Sequence, residues 1–282
     1  MKGLAACAVL AEMERRSGKP ASKLFDLMGG TSVGGIIALS LAAGNSASDT
    51  LSFFTEDGPK IFKGGFGSSP FLRFLTFRGY YKYDPAPLVE CLQRRFMSKR
   101  MSDARMPIIV PATDRISRDE VFFKSDDIET MNYPMWQVGR ATSAAQTYFP
   151  PYAFSGWNFF DGGTGANNPS VCVYAQAISK WGMNETYRML FLGCGEISSV
   201  KVPANPGPVA ILGETVQMML SCTDGIPDYQ MRQFLGNSYA SIQPKGITTG
   251  LDDASPDALS SLNQIALKTI QDNSDLIDRF CQ

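Results

Sequence analysis

The chain has 282 residues, 44% hydrophobic and 19% charged, with 26 Lys and Arg against 27 Asp and Glu, a net charge of −1 and a pI near 5.6. That composition excludes intrinsic disorder and gives no electrostatic footprint for a nucleic-acid duplex. The histidine count is zero, so a Ser-His-Asp or Cys-His arrangement and histidine-based zinc sites are excluded within the chain. A serine nucleophile here would need a carboxylate, a lysine or a group on a partner as its base.

Leu4, Ala8, Val9, Leu10 and Met13 recur at helical spacing, and Gly18 and Pro20 stop that first helix. A parallel sheet normally feeds such a helix from a strand, yet only Met1-Lys2-Gly3 precede it. Residues 24–39 then read as an apolar strand, a sharp turn and a helix. The turn, Gly30-Thr31-Ser32-Val33-Gly34, fits the G-x-S-x-G nucleophile elbow. There a serine sits in a strained conformation, and glycines on both sides avoid clashes. Ser32 would face the N-terminus of the following helix, where peptide N–H groups stabilise developing negative charge. The plain alternative is a tight turn with Ser32 as an ordinary N-cap; the strand before and helix after favour the elbow.

A short helix is predicted over 49–54. Residues 62–83 hold Phe62, Phe66, Phe71, Phe74, Phe77, Tyr80, Tyr81 and Tyr83 with Lys63, Arg73, Arg78 and Lys82 and no acid. Two readings stay open: aromatics packed on the core, or a glycine-hinged lid or membrane-facing surface. Residues 85–96 form an amphipathic helix, 106–112 a buried strand, 114–119 a polar turn and 120–124 a second strand, so this pair reads as a hairpin. A helix follows over 134–145 and a strand over 157–160. The strand runs into Asp161-Gly162-Gly163-Thr164-Gly165-Ala166-Asn167-Asn168-Pro169. An acid at a strand end, then glycines, is either a functional turn or an Asp-Gly turn whose Asn168 and Pro169 open the next helix. That helix covers 171–181. A buried strand over 188–193, helices over 213–228 and 229–234, a strand over 238–243 and a last helix capped by Ser255-Pro256-Asp257 complete the chain. Alternation of strands and helices over residues 1–282 predicts one α/β domain, with a largely parallel central sheet and helices on both faces.

With no histidine, carboxylates at strand ends are the candidate bases, and Asp161 is the best placed. A Ser-Asp pair can run acyl transfer if the carboxylate is partly desolvated. At this point the sequence resembles the patatin-like phospholipases. The resemblance rests on Gly30-Thr31-Ser32-Val33-Gly34-Gly35, Lys82-Tyr83-Asp84, residues 141–150 (Ala-Thr-Ser-Ala-Ala-Gln-Thr-Tyr-Phe-Pro), and Asp161-Gly162-Gly163 with Asn167-Asn168-Pro169. It implies a three-layer patatin fold, Ser32 as nucleophile, Asp161 as base, and Ca²⁺-independent lipid acyl hydrolysis with no metal or organic cofactor. The implied partner is a phospholipid or membrane surface.

One departure concerns the oxyanion hole. The family carries a strand leading into an Asp-Gly-Gly-Gly-x-Arg/Lys-Gly loop, of which Met1-Lys2-Gly3 match only the last three positions. Gly3 is retained, and the remaining candidate donor is the Val33 N–H, just after the nucleophile. We expect the true protein to start upstream, with Met1 an internal methionine; a shortened, weakly active or ligand-binding form is the alternative. The start lacks a long apolar signal region, and no run approaches the ~18 apolar residues that span a bilayer, so a cytoplasmic location, peripheral to the membrane when active, is expected. Bacterial relatives include antiphage effectors switched on by cyclic nucleotides, which makes a cyclic dinucleotide the expected activator.

Overall fold

The computed structural model describes residues 1–64, 81–195 and 223–282. Helix α1 (Leu4–Ser17) ends where Gly18 takes a left-handed φ of 66° and donates its N–H to Glu14 O. The Glu14 carboxylate turns back to accept the N–H groups of Ala21 (2.7 Å) and Ala47 (2.8 Å). These are the first amides of α2 (Ala21–Leu24) and α4 (Ala47–Ser52), donors that have no partner inside their own helices. One side chain therefore fixes the starts of two helices. Helix α3 (Val33–Ala42) is buried throughout from Gly35 to Ala42, as expected of a helix that is apolar on every face.

A π-helical turn (Phe53–Asp57) leads into α5 (Gly58–Ile61). Its buried Asp57 carboxylate binds Arg94 at 2.5 Å and Arg95 at 2.6 Å. Both arginines lie in the last turn of α6 (Ala86–Phe96), so this contact docks α6 on the π turn.

The central sheet runs in the order β1 (Met28–Gly29), β2 (Ile108–Asp114), β5 (Trp157–Asp161), β4 (Tyr152–Phe154), with β3 (Glu120–Lys124) also paired to β2. The α/β class holds, but the pairing directions correct the expectation of a largely parallel sheet. β1 and β2 are parallel, whereas β2–β3, β2–β5 and β4–β5 are antiparallel. Short connections force this for β2–β3 and β4–β5, because a few residues can only fold a strand back on itself. Ser155 and Gly156, both at positive φ (51° and 88°), turn β4 directly into β5, the backbone of a tight hairpin turn. In the β2–β3 hairpin, Asp114 accepts the N–H groups of Ser117 and Asn158. These bonds hold its carboxyl below the usual range against the opposing effect of burial.

The predicted strand before the elbow is also shorter than its apolar pattern suggests. Residues 21–24 are helical and only Met28–Gly29 pair with β2. Pro20, extended at the N-cap of α2, starts a helical turn that consumes the early part of the run. β4 had no counterpart in the sequence reading, because three residues are too few to show alternation.

Side-chain alternation along β2 assigns the layers. Val110 faces Gly35 of α3, while Thr113 lies toward Gly165 in α8 (Gly163–Ala166). Positions 110 and 113 point to opposite sides of the strand, so helices cover both faces. Helix α7 (Met135–Thr142) packs on the α3 side, where Thr142 meets Gly35, and α9 (Ser170–Trp181) meets Gly29 through Val173. Buried Phe123 and Phe159 anchor an aromatic cluster with Tyr133, Phe154 and Trp157.

A second, two-stranded parallel sheet pairs β6 (Met189–Leu192) with β7 (Tyr239–Ile242); β6 is half-buried rather than buried. Helix α10 runs through residues 223–235. Helix α11 (Pro256–Asp272) opens as expected, with Ser255 Oγ accepting the Ala258 N–H at 3.3 Å, and α12 (Ser274–Cys281) follows. The lid or membrane-surface reading of residues 62–83 falls largely outside the described residues, as does the start of the helix predicted over 213–228. At its described ends, Phe62 and Tyr83 pack edge to face with centroids 5.2 Å apart, and Tyr83 is buried.

Candidate active site

Ser32 stands at the junction of β1 and α3 with φ 56° and ψ −123°. A non-glycine residue there is strained by an amount on the order of 1–3 kcal/mol, which the surrounding contacts must offset. Gly30 makes the turn sterically feasible: a Cβ at that position would lie 2.2 Å from Gly34 O. Gly35 is also tightly enclosed, with Gly30 O, Thr142 and Val110 each 3.0 Å from the position of a Cβ. Gly34 is different. Among the described residues a Cβ there meets nothing within 4 Å, which corrects the expectation that both flanking glycines relieve clashes. Thr31 donates its hydroxyl to Ala166 O at 2.6 Å, binding the elbow to α8.

Asp161 arrives from the far side of the sheet's centre. It pairs with Ala112 of β2, and directly paired residues share a face. Ala112 shares its face with Val110, the residue under α3. The Asp161 carboxylate consequently reaches the N-terminus of α3, where Oδ2 accepts the Ser32 hydroxyl at 2.7 Å. Oδ1 accepts the Gly163 N–H at 2.8 Å. Gly162 must be glycine for this turn, since a Cβ would fall 2.3 Å from Pro111 O.

The remaining residues singled out in sequence also lie here. Gly3, the N-cap of α1, abuts the elbow so closely that a Cβ would be 2.9 Å from Val33 Cγ1. Val33 is the first residue of α3, and among the described residues its N–H makes no hydrogen bond, as first-turn amides usually do not within a helix. The N-cap of α9 is Pro169 rather than the expected Asn168, whose Oδ1 accepts the Ser170 N–H at 3.0 Å and whose amide donates to Asp224 O at 3.1 Å, so the Asn-Asn-Pro step joins the site to α10.

Two charged groups, one buried and one half-buried, escaped the sequence reading. Arg140 is only 1% exposed; it donates to Pro150 O at 2.8 Å and lies over the rings of Phe149 and Tyr152. Its Nε and Nη1 have no hydrogen-bond partner among the described residues. Burial lowers its pKa to about 10, so it remains a cation at neutral pH. A lone arginine inside a helix of small and apolar residues was the available signal. Glu120 pairs with Thr113 on the other face of the sheet, its Oε2 2.6 Å from Thr113 Oγ1. Burial pushes its carboxyl up to about 7. Thr113 Oγ1 is in turn 3.3 Å from Asp161 O.

Burial is the main influence on Asp161 and raises its pKa from 3.8 to about 6. The Ser32 hydroxyl, the Gly163 N–H and the positive charge of Arg140 on α7 pull it back down. A carboxylate with this environment is ionised at neutral pH yet basic enough to take a proton. Among the described residues no group of three or more Cys, Asp or Glu side chains could hold a metal ion.

The family profile described as Patatin-like phospholipase matches residues 1–170. The chain belongs to the patatin-like phospholipase family. It is 30% identical over 285 residues to a cGAMP-activated phospholipase of Pseudomonas aeruginosa, covering 96% of this chain and 83% of that protein. A cGAMP-activated phospholipase of Vibrio cholerae is 29% identical, over 81% of this chain and 66% of its own length. The rat 85/88 kDa calcium-independent phospholipase A2 is 27% identical over 79% of this chain, which spans 31% of that protein. Among solved structures, VipD from Legionella pneumophila overlays with a TM-score of 0.48 at 13% identity, covering 99% of this chain and 65% of that one. As in the sequence, no helix among the described residues of this patatin-like chain is long and apolar enough to cross a membrane.

Two outcomes follow from the geometry. Gly34→Ala should fold as the parent does, because its Cβ enters open space in a helical first turn and alanine is the better helix former by ~1 kcal/mol. Gly30→Ala should lower the melting temperature sharply; equal melting temperatures for the two variants would contradict the contact at Gly34 O. The second outcome concerns Asp161. Its folded pKa lies above its unfolded value, so ionisation costs stability above pH 6, and that cost disappears as pH falls through about 6 toward 3.8. Asp161→Asn should therefore stabilise the protein at pH 8, by about 3 kcal/mol at most for a shift of this size. Urea denaturation should show that gain shrinking to little at pH 4.

Proposed function

We propose that this chain is a phospholipase A-type lipid acyl hydrolase in which Ser32 is the nucleophile and Asp161 the general base. The observation that carries the reading is the 2.7 Å hydrogen bond from the Ser32 hydroxyl to a buried carboxylate, in a family of phospholipases.

In this mechanism Ser32 Oγ attacks the acyl-ester carbonyl carbon as its proton passes to Asp161 Oδ2. The carbonyl π pair moves onto oxygen. That oxyanion is received by the Val33 N–H at the positive end of α3, beside the N-terminus of α1 at Gly3. Collapse breaks the ester C–O bond, and the lysophospholipid alkoxide leaves with the proton from Asp161. Water then attacks the acyl-serine, giving its proton to Asp161; fatty acid departs and the proton returns to Ser32. Each proton gained by Asp161 is given back, so no other base is required. Arg140 supports the cycle by favouring ionised Asp161 inside a buried site.

A cyclic dinucleotide activator is part of the same reading. Its support is that cGAMP-activated phospholipases align over 96% and 81% of this chain. Association with the membrane surface follows from a phospholipid substrate.

The test is fatty-acid release from phosphatidylglycerol and phosphatidylethanolamine vesicles, with and without cGAMP. Ser32→Ala and Asp161→Asn should each lower the rate by at least roughly 10³-fold while both variants remain folded. The kcat/KM profile should rise through a single ionisation near pH 6, the value for Asp161, because the ionised form is the active one. A fluorophosphonate probe should label Ser32 in the parent protein; failure to label would favour a non-catalytic lipid-binding protein.

A further inference from the structure

Both members of the Ser32–Asp161 pair are held by one short stretch of chain that belongs to neither β1 nor β5. The Ser32 N–H donates to Thr142 Oγ1 at 2.9 Å. The Asp161 N–H donates to Ala144 O at 3.0 Å, and the Gly162 N–H to Thr142 O at 3.1 Å. Residues 142–144 thus grip the nucleophile on one side and the base on the other, with Thr142 bonded in both directions.

Thr142 is fully buried, at 0% exposure. Its methyl lies against Gly35, 3.0 Å from where a Cβ would stand, so the side chain is wedged beneath the first turn of α3. Ser32 holds a φ of 56°, a conformation that persists only where its surroundings over-determine it. Donation of the Ser32 N–H into a fixed, buried hydroxyl is such a constraint. It also leaves the Ser32 amide occupied, so that the Val33 N–H, which makes no hydrogen bond among the described residues, is the one turned to developing charge.

We infer that Thr142 is a positioning residue for the reaction: its hydroxyl pins the strained backbone of Ser32 while its carbonyl pins the Asp-Gly-Gly turn, fixing the separation of nucleophile and base. The inference rests on the Ser32–Asp161 reading given above. The hydroxyl touches neither reacting atom, so its effect is exerted through Ser32.

Thr142→Val keeps the shape and removes the acceptor; Thr142→Ser keeps the acceptor and removes the methyl. Both are to be compared, in the full chain, by hydrolysis of p-nitrophenyl butyrate and by the rate of fluorophosphonate labelling at Ser32. Thr142→Val should lower kcat and the labelling rate by roughly ten- to a hundredfold, the effect of misplacing a reacting group by about 1 Å, with KM unchanged. Thr142→Ser should restore both, although it creates the larger packing defect. A Thr142→Val protein that melts earlier but reacts at the parental rate when folded overturns the inference, as does a Thr142→Ser protein as slow as Thr142→Val. Ser32→Ala separates the two levels of argument. If it retains the parental rate, the Ser32–Asp161 reading itself fails; if it is inactive while Thr142→Val is not, only the role of Thr142 fails.

Discussion

The register of β5 on β2 is the constraint on which the rest of the site depends. Asp161 pairs with Ala112, and side chains alternate across the sheet with a period of two. A slip of one residue would carry the Asp161 carboxylate to the face occupied by Glu120, away from α3. What prevents the slip is distributed through the hairpins. Asp114 holds the Asn158 N–H across the end of the strands, and the two-residue turn at Ser155 and Gly156 sets β4 against β5. Phe159 and Phe123, both fully buried, would have to leave the aromatic cluster for any other pairing. Stability of the sheet and placement of the carboxylate are therefore the same physical fact.

The serine side of the site is built on the opposite principle, local strain. At Ser32 the chain leaves a two-residue strand and enters a helix that is buried almost along its length. The glycines around it have separate duties. Gly30 lets the turn close on Gly34, and Gly35 lets α3 approach Val110 and Thr142. Gly34 presents a bare backbone where the described structure leaves space. Pattern recognition treats both motif glycines alike, whereas the contacts make the first a condition of folding and leave the second unconstrained by packing.

Much of this was legible in the amino-acid order, for identifiable reasons. The elbow and the Asp-Gly-Gly turn are short and local, and they carry residue types that few other structures require. The zero histidine count directed attention to carboxylates, and Asp161 does receive the Ser32 hydroxyl. The helix starting at Ser255 was equally readable, since a cap, a proline and an acid act within one turn. The directions of strand pairing were not readable from alternation alone, because period-two patterns are the same in parallel and antiparallel strands. Nor was Thr142, whose contribution is a hydrogen bond to a residue 110 positions away. Glu120 looks like an ordinary surface charge in sequence, whereas Arg140 offered only the weak signal of a lone charge in a helix of small and apolar residues.

Arg140 bears on whether the Asp161 carboxylate could act as the proposed base. Enclosure alone would drive Asp161 toward its neutral form, which accepts no proton. Full exposure would leave it ionised but far too weak a base. The observed compromise, a pKa raised only to about 6, comes from burial opposed by the Ser32 hydroxyl, the Gly163 N–H and the Arg140 charge. Arg140 is itself costly, a guanidinium with two nitrogens lacking partners among the described residues. Its charge repays part of that cost through Asp161, since each opposite charge makes the other easier to bury. Glu120, on the other face of the sheet, is raised to about 7 by its own burial. In the proposed reaction, the cation on the α3 side thus offsets part of the burial that would otherwise keep Asp161 neutral.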